Sequence, residues 1–342
     1  MLFGNIKQNN LKFISKYLFS LICVVFVSSF FQESVTSWGF FGHRKINRMA
    51  VFTLPPEMIK FYKKNIEYIT EHAVDPDKRR YAVEGEAPKH YIDLDHYVHS
   101  GEDIFELIPK KWLDAVEQFS EDTLQAYGIV PWHVNLMVTR LTKAFEEKNV
   151  DKILHLSADL GHYVGDSHVP LHTTENYDGQ LTGQRGIHGF WESRLPELKS
   201  KDYNYFVGRA EYVENILDDE WETIRGSFGA LDSVLSFEKI LNSEFSSDQK
   251  YSYENRGGVI MKTYSEEYAT KYHDRLNGMV ERRLTRSIIK VGSYWYTAWV
   301  DAGQPDLNNL LDKDQLKKQP KENIELDKSQ QDNKIKVREH QD

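Results

Sequence analysis

The sequence has almost no cysteine and none of the common catalytic signature motifs. Cys23 is the only cysteine among 342 residues, so an intramolecular disulfide is excluded. HExxH, GxSxG, GxGxxG and the P-loop are absent, which removes the usual signals for metalloproteases, α/β-hydrolases, dinucleotide enzymes and P-loop nucleotidases. The formal net charge is -9, so the composition shows no polybasic surface for nucleic acid or membranes.

The first 37 residues have the composition of a secretory signal peptide. Three lysines precede an apolar run over residues 17–31, which is too short for a membrane span with these flanks. Small residues lie before Trp38, so cleavage after Ser37 would make Trp38 the new N-terminus. An uncleaved membrane anchor is the alternative. We therefore expect a secreted or periplasmic protein with a signal peptide over residues 1–37.

Hydrophobic spacing predicts an all-α fold, a single multi-helix domain over residues 38–304. Apolar residues recur every three or four positions, whereas alternating strand patterns are scarce. The predicted helices cover about 57–71, 108–126, 133–148, 153–168, 188–198, 207–224, 230–243 and 254–300. An aromatic cluster near the end of the last helix is expected in the core. Residues 305–342 are highly charged and nearly free of aromatic side chains, so we expect a disordered tail.

The segment from His162 to His172 carries the strongest chemical pattern. His162 and Asp166 are four residues apart and therefore share one face of a helix. A proline then favours the end of that helix, which leaves His172 free to turn back towards the same point. His188 and Glu192 repeat the four-residue spacing on a second predicted helix. Imidazoles and carboxylates that converge in this way are typical ligands of zinc.

Two further regions offer metal ligands. The polar segment after the second predicted helix is rich in ligand-type side chains and contains Asp75 and His90, which suggests a site more than a linker. At the mature N-terminus, the α-amino group and carbonyl oxygen of Trp38 could chelate a metal ion, with His43 close by in sequence.

Together these patterns resemble the superfamily of zinc-dependent phospholipase C and single-strand-specific nucleases of the S1/P1 type. The motifs are Trp-Gly-x-x-Gly-His at 38–43, His-aromatic-x-Asp at 90–93, His-x3-Asp-x5-His at 162–172 and His-x3-Glu at 188–192. The resemblance implies three zinc ions held by Trp38, His43, Asp75, His90, His162, Asp166, His172, His188 and Glu192. Asp77 is an alternative to Asp75, whose spacing to His90 fits the family better.

The resemblance also implies the chemistry, which is zinc-dependent hydrolysis of phosphodiester bonds. Zinc would activate the attacking water, Asp75 would serve as a base and Lys78 would contact the phosphate. Tyr91 and Asp93 follow His90 where the nucleases bind a base, so they are candidates for substrate binding. The sequence slightly favours a phospholipase C over an endonuclease or 3′-nucleotidase acting on single strands. A non-catalytic helical zinc protein is a third interpretation, and a monomer without a protein partner is expected.

Overall fold

The computed structural model describes residues 39–97, 103–256 and 258–310. Most of these residues are helical and the only sheet among them is a two-stranded hairpin, which confirms the predicted all-α fold class. The helices are α1 Gly39–Ala50, α2 Pro56–Lys64, α3 Ile66–Glu71, α4 Asp75–Arg79, α5 Ile104–Leu107, α6 Trp112–Phe119, α7 Glu121–Tyr127, α8 Val130–Glu146, α9 Val150–Ser167, α10 Ile187–Gly189, α11 Leu195–Lys199, α12 Ile216–Glu244, α13 Ser247–Lys250, α14 Glu266–Arg275 and α15 Met279–Asp301. Short 3₁₀ turns lie at Val51–Thr53, His72–Val74, Ala87–His90, Leu94–His96, Pro170–Thr173, Ser200–Asp202 and Asn308–Leu310. Strands β1 Tyr251–Arg256 and β2 Val259–Tyr264 form an antiparallel hairpin.

Helix α9 lies in the middle of the core and carries His162 and Asp166. Every residue of α9 from Ser157 to Ser167 is buried, which is the pattern of a helix covered on all sides. Helices α1, α3, α8, α12 and α15 pack against it. Asn149 caps its first turn by accepting a hydrogen bond from a backbone N–H. The last turn of α9 therefore delivers its two ligand-type side chains to the interior of the protein.

A glycine on α9 allows helix α1 to approach closely. A Cβ atom at Gly161 would lie 1.9 Å from Oδ1 of Asn47, so a larger residue would push the helices apart. Nδ2 of Asn47 donates a hydrogen bond of 2.9 Å to the carbonyl oxygen of Ala158. As a result, the ring of His43 on α1 stacks on His162 with 3.8 Å between the ring centroids.

The aromatic cluster on α15 belongs to the core, as the sequence predicts. Tyr294, Trp295 and Trp299 are almost completely buried, and Tyr296 is partly buried against them. Nε1 of Trp295 donates a 3.0 Å hydrogen bond to the carbonyl oxygen of Ser157. This contact fixes α15 against the central helix.

Several predicted helices have the wrong bounds. The helix predicted over 230–243 is the C-terminal part of α12, and the one predicted over 108–126 is divided at Ser120 into α6 and α7. The helix predicted over 254–300 starts only after the β hairpin, because Gly258 with φ +90° turns the chain between two extended strands. Gly278, with φ +72°, then separates α14 from α15. The helix predicted over 207–224 begins only at Ile216, where the side chain of Asn215 caps it.

Residues 305–310, which the sequence assigns to the tail, belong to the packed chain. Leu307 and Leu310 are 1% and 6% exposed, and Nε1 of Trp299 donates to the carbonyl oxygen of Pro305 at 2.9 Å. The packed chain therefore continues to at least residue 310, and residues 311–342 lie outside the described residues. The predicted signal peptide and Trp38 also lie outside them. Among the helices that are described, none is both long and apolar enough to cross a membrane.

Candidate metal centre

Three groups of buried histidines and carboxylates converge around the C-terminal end of α9. Within each group the potential ligand atoms all lie within 4.8 Å of one another. All members are buried, and His162 belongs to two groups. The groups are Asp77 with His90 and His162, His43 with His162 and Asp166, and His172 with His188 and Glu192.

Asp166 is the carboxylate that links these groups. Its Oδ2 lies 2.9 Å from Nδ1 of His90 and 3.2 Å from Nε2 of His162. Its Oδ1 lies 3.4 Å from Nε2 of His43 and 3.8 Å from Nδ1 of His172. Burial alone would raise the pKa of Asp166, but the neighbouring His162 and His172 hold that pKa well below its usual range. An ionised carboxylate in this position could bridge two metal ions.

Backbone carbonyl groups orient three of the imidazole rings. In each case Nδ1–H of the ring donates to a main-chain oxygen. Nε2 is therefore the ring nitrogen that remains to bind a metal ion. The three bonds run from His162 to Ala73 at 2.9 Å, from His172 to His90 at 2.5 Å and from His188 to Tyr177 at 3.1 Å. The fold thereby directs Nε2 of each ring towards the other ligands. Burial would lower the pKa values of His162 and His172, but Asp166 raises the first to about 9 and also raises the second, so a metal ion would replace a proton on these two rings.

The donor set of the third group fits a divalent cation. Nε2 of His172 and Nε2 of His188 face each other at 3.1 Å. Oε2 of Glu192 lies 2.9 Å from the second of these nitrogens and 3.5 Å from the first. The lone pairs of two ring nitrogens and a carboxylate oxygen this close repel one another unless a proton or a metal ion lies between them. Zinc accepts this combination of nitrogen and oxygen ligands.

The other two groups hold buried polar atoms that the described residues leave unsatisfied. Both carboxylate oxygens of Asp77, both ring nitrogens of His43 and Nε2 of His90 have no hydrogen-bond partner there. Such atoms cost about 1–3 kcal/mol each when nothing compensates them. Burial raises the pKa of Asp77 and lowers the pKa of His90 to about 3, so His90 stays neutral, as a metal ligand must be.

The structure brings Asp77, and not Asp75, to the histidines. Both lie on the single turn of α4, where positions two apart point in directions about 200° apart, so only one of them can face α9. Oδ1 of Asp77 lies 3.5 Å from Nε2 of His162. Asp75 instead accepts hydrogen bonds from His72 at 2.5 Å and Lys78 at 2.9 Å. The sequence-based choice between the two aspartates is therefore corrected.

His188 and Glu192 lie on one continuous helical segment. It consists of α10, a π-helical turn at Phe190–Arg194 and α11, so the helix predicted over 188–198 is confirmed. The ring of Phe190 stacks on Tyr264 at 3.8 Å, which anchors this segment to the base of the hairpin. Burial would raise the pKa of Glu192, but His188 and a second imidazole lower it to about 2.

The family model that describes S1/P1 nuclease matches residues 38–294, which include all of these groups. The chain belongs to the S1/P1 nuclease family. No curated protein sequence matches it. Two solved structures with similarity are the alpha toxin of Clostridium absonum, at 13% identity and TM-score 0.44, and the alpha-toxin of an avian strain of Clostridium perfringens, at 11% and 0.44. The similar regions cover 83% and 80% of this chain, and 66% of each toxin chain.

In this member of the S1/P1 nuclease family, a groove of about 1320 Å³ lies along the segment that carries His90. Tyr91 and Asp93, both predicted to bind substrate, line it. They are only 7% and 5% exposed, and both the backbone and the ring of Tyr91 lie close to Gly128. These two side chains can therefore offer only a small part of their surface to a ligand, and their role in binding remains a prediction.

Sequence reasoning missed one cation, Arg80. The predicted phosphate ligand Lys78 is half exposed, is paired with Asp75 and does not line the groove. Arg80 is 2% exposed, lines the groove and has no acidic partner among the described side chains. Its positive charge contributes to lowering the pKa values of both Asp77 and His90. The sequence does contain a pattern that could have identified it, because Arg80 follows Asp77 by three residues, as Lys78 follows Asp75.

Proposed function

We propose that this protein is a secreted zinc-dependent phosphodiesterase of the nuclease type, with a signal peptide that is cleaved after Ser37. The observation that supports it most is the convergence of three buried ligand groups around Asp166. Trp38 would complete the site through its free α-amino group, which requires that cleavage. The proposed ligands of three zinc ions are Trp38, His43, Asp77, His90, His162, Asp166, His172, His188 and Glu192.

Zinc bound in such a site lowers the pKa of water and stabilises negative charge on a phosphate. The residues of the chain prepare the site for this chemistry. Asp77, Asp166 and Glu192 offset only part of the charge of three divalent ions, which leaves a positive centre for the phosphate. Arg80 supplies a rigid fork of N–H donors that fits the non-bridging oxygens of a phosphodiester.

The groove beside the centre favours nucleic acid over phospholipid as substrate. Its walls combine apolar side chains with many charged and hydrogen-bonding ones, which fits flat bases joined by charged phosphates better than it fits acyl chains, since these require continuous apolar walls. The polar residues that line it include Arg80, Glu84, Lys89, Asp93, Gln125 and Arg140. Together with the family match, this lining leads us to prefer the nuclease over the phospholipase that the sequence slightly favoured. The enzyme is expected to act as a monomer.

The processed protein, loaded with zinc, should hydrolyse bis-p-nitrophenyl phosphate and single-stranded DNA or RNA. A chelator should abolish both activities and added zinc should restore them, because the proposed reaction depends on the metal. Phosphatidylcholine vesicles, assayed in parallel, test the phospholipase alternative. The zinc-free form and an Asp166→Asn variant serve as controls.

Three outcomes separate the interpretations of the site. Cleavage of the nucleic acids supports the proposal, and cleavage of the lipid alone contradicts the proposed substrate. Bound zinc without hydrolysis of any of these compounds would show that the metal serves only the fold.

A further inference from the structure

The groove contains a cation that the proposed chemistry does not use. Arg140 on α8 is exposed and lines the groove. Among the described residues, no acidic side chain forms an ion pair with it. Lys89, the other lysine or arginine of the lining apart from the buried Arg80, is held by Glu86 at 2.6 Å. Arg140 is therefore the exposed positive charge of the groove lining that is available for a ligand.

His133 relates this arginine to the metal centre. His133 and Arg140 are seven residues apart on α8, so they lie on the same face of the helix, and both line the groove. The ring of His133 contacts the ring of Tyr163 at 4.5 Å, and Tyr163 contacts His90 at 5.3 Å between centroids. One tyrosine ring thus separates this wall of the groove from a proposed zinc ligand.

His133 adds no positive charge to this wall of the groove. Burial, together with the nearby Lys89 and Arg140, lowers the pKa of His133 to about 3, so His133 is neutral. The groove also contains Glu84, Glu121 and Asp122, which repel phosphate groups but can accept hydrogen bonds from the amino groups of bases. Its volume of about 1320 Å³ exceeds the roughly 300–1,000 Å³ of typical small-molecule sites. The groove therefore suits a substrate longer than one nucleotide.

We propose that Arg140 binds a phosphate that flanks the scissile phosphate of a single-stranded nucleic acid. The proposal rests on the proposed nuclease function. The zinc ions and Arg80 serve the bond that is cleaved, whereas Arg140 adds a contact that only a longer strand can reach. Arg140 is thus a specificity-determining residue that makes the enzyme prefer oligonucleotides to dinucleotides.

The test compares wild type with Arg140→Gln on a dinucleotide and on an octanucleotide over a range of salt concentrations. For the octanucleotide, kcat/KM should fall about tenfold, the size expected for one lost charged hydrogen bond. The slope of log kcat/KM against log salt should become shallower by about 0.7, the value for one phosphate of a single strand. For the dinucleotide, kcat/KM should change less than about twofold.

Arg209→Gln is the matched control. Arg209 is also exposed but does not line the groove, so its substitution removes the same charge and should leave both substrates unaffected. The proposed subsite would be overturned if Arg140→Gln lowered kcat/KM equally for both substrates, or if kcat/KM for the octanucleotide did not change. A wild-type enzyme that cleaves phospholipid but no nucleic acid would refute the proposed substrate and the subsite together. If the wild type cleaves the nucleic acids and Arg140→Gln cleaves them equally well, the subsite is refuted while the proposed nuclease function stands.

Discussion

Asp75 and Asp77 are separated by a single residue, yet their surroundings differ completely. Asp77 is fully buried against two histidines, while Asp75 forms an ion pair with Lys78 near the surface. Burial raises the pKa of Asp77, whereas the hydrogen bonds from His72 and Lys78 outweigh burial and lower the pKa of Asp75. Asp77 would therefore need a nearby metal ion to become fully ionised, whereas Asp75 is ionised without one.

We expect Asp77→Asn to remove one zinc ion per molecule and to reduce phosphodiester hydrolysis at least about 100-fold. An amide cannot supply the negative charge that the buried site requires. Asp75→Asn is the matched control, and it should keep all the zinc and nearly all the activity. Elemental analysis of the purified variants measures the metal content directly. The opposite pattern, with zinc lost from the Asp75 variant, would return the ligand role to Asp75.

The sequence predicts most of the site where helical periodicity fixes the spacing of its residues. The pairs His162/Asp166 and His188/Glu192 follow from four-residue spacing alone, and the structure brings both pairs into ligand groups. The choice between Asp75 and Asp77 does not follow from it, because the chain between α4 and His90 is irregular. In such a segment the number of residues does not determine which side chain faces the core.

At the scale of elements, one carboxylate connects the segments that carry Asp77, His90 and His162. Glu86 is 2% exposed and accepts hydrogen bonds from Lys89 at 2.6 Å, from Arg79 at 3.4 Å and from the hydroxyl of Tyr163. Arg79 ends α4, Lys89 lies in the turn Ala87–His90, and Tyr163 lies on α9. Burial would raise the pKa of Glu86, but these two cations lower it to about 2, so the group remains ionised.

We expect Glu86→Gln to weaken zinc binding at the Asp77 group by about 10–100-fold, because the three elements lose their common anchor. A buried ion-pair network that loses one member also destabilises the fold, by roughly 3–5 kcal/mol. Competition with a chromophoric chelator measures the affinity, and denaturant unfolding measures the stability. Glu67→Gln, which removes only the exposed pair with Arg48, should change neither by more than about 1 kcal/mol. Equal behaviour of the two variants would contradict this role.

Element boundaries were predicted less well than the elements themselves. The sequence contains two adjacent glycines at 257 and 258, followed by strand-forming residues, which is a known hairpin signal. The helical spacing of the residues that follow nevertheless predicts a single helix over 254–300. The hairpin and α14 show that a local turn can override the apolar period on either side.

At the scale of the whole molecule, the site depends on contacts between parts of the chain that are distant in sequence. His43 reaches His162 only because Gly161 lets α1 approach α9. Hydrophobic periodicity predicts that both helices exist and which faces are apolar, but it contains no information about the distance between them. This is why the fold class could be predicted from the sequence, whereas the packing that assembles the site could not.

The stability of the whole fold should depend on pH through a buried carboxylate outside the metal centre. Glu220 on α12 is fully buried and accepts a hydrogen bond of 3.1 Å from the hydroxyl of Tyr294, while its Oε1 has no partner among the described residues. Burial raises its pKa from 4.5 to about 7, although the hydroxyls of Ser167 and Tyr294 oppose this. Between these two values the folded protein binds a proton that the unfolded chain does not bind.

The contribution of Glu220 to the free energy of unfolding is therefore complete below the pKa that the group has in the unfolded chain. It is lost as the pH rises through about 7. Glu220→Gln removes this dependence, because glutamine keeps the shape and cannot ionise. From about pH 5 to about pH 8, the free energy of unfolding of the wild type should fall relative to the variant by up to about 3 kcal/mol. Urea unfolding of both proteins at each pH gives this difference, and any effect of zinc release cancels because both proteins keep the same metal ligands. Parallel pH profiles for the two proteins would show that Glu220 has an ordinary pKa and is reached by water in the folded state.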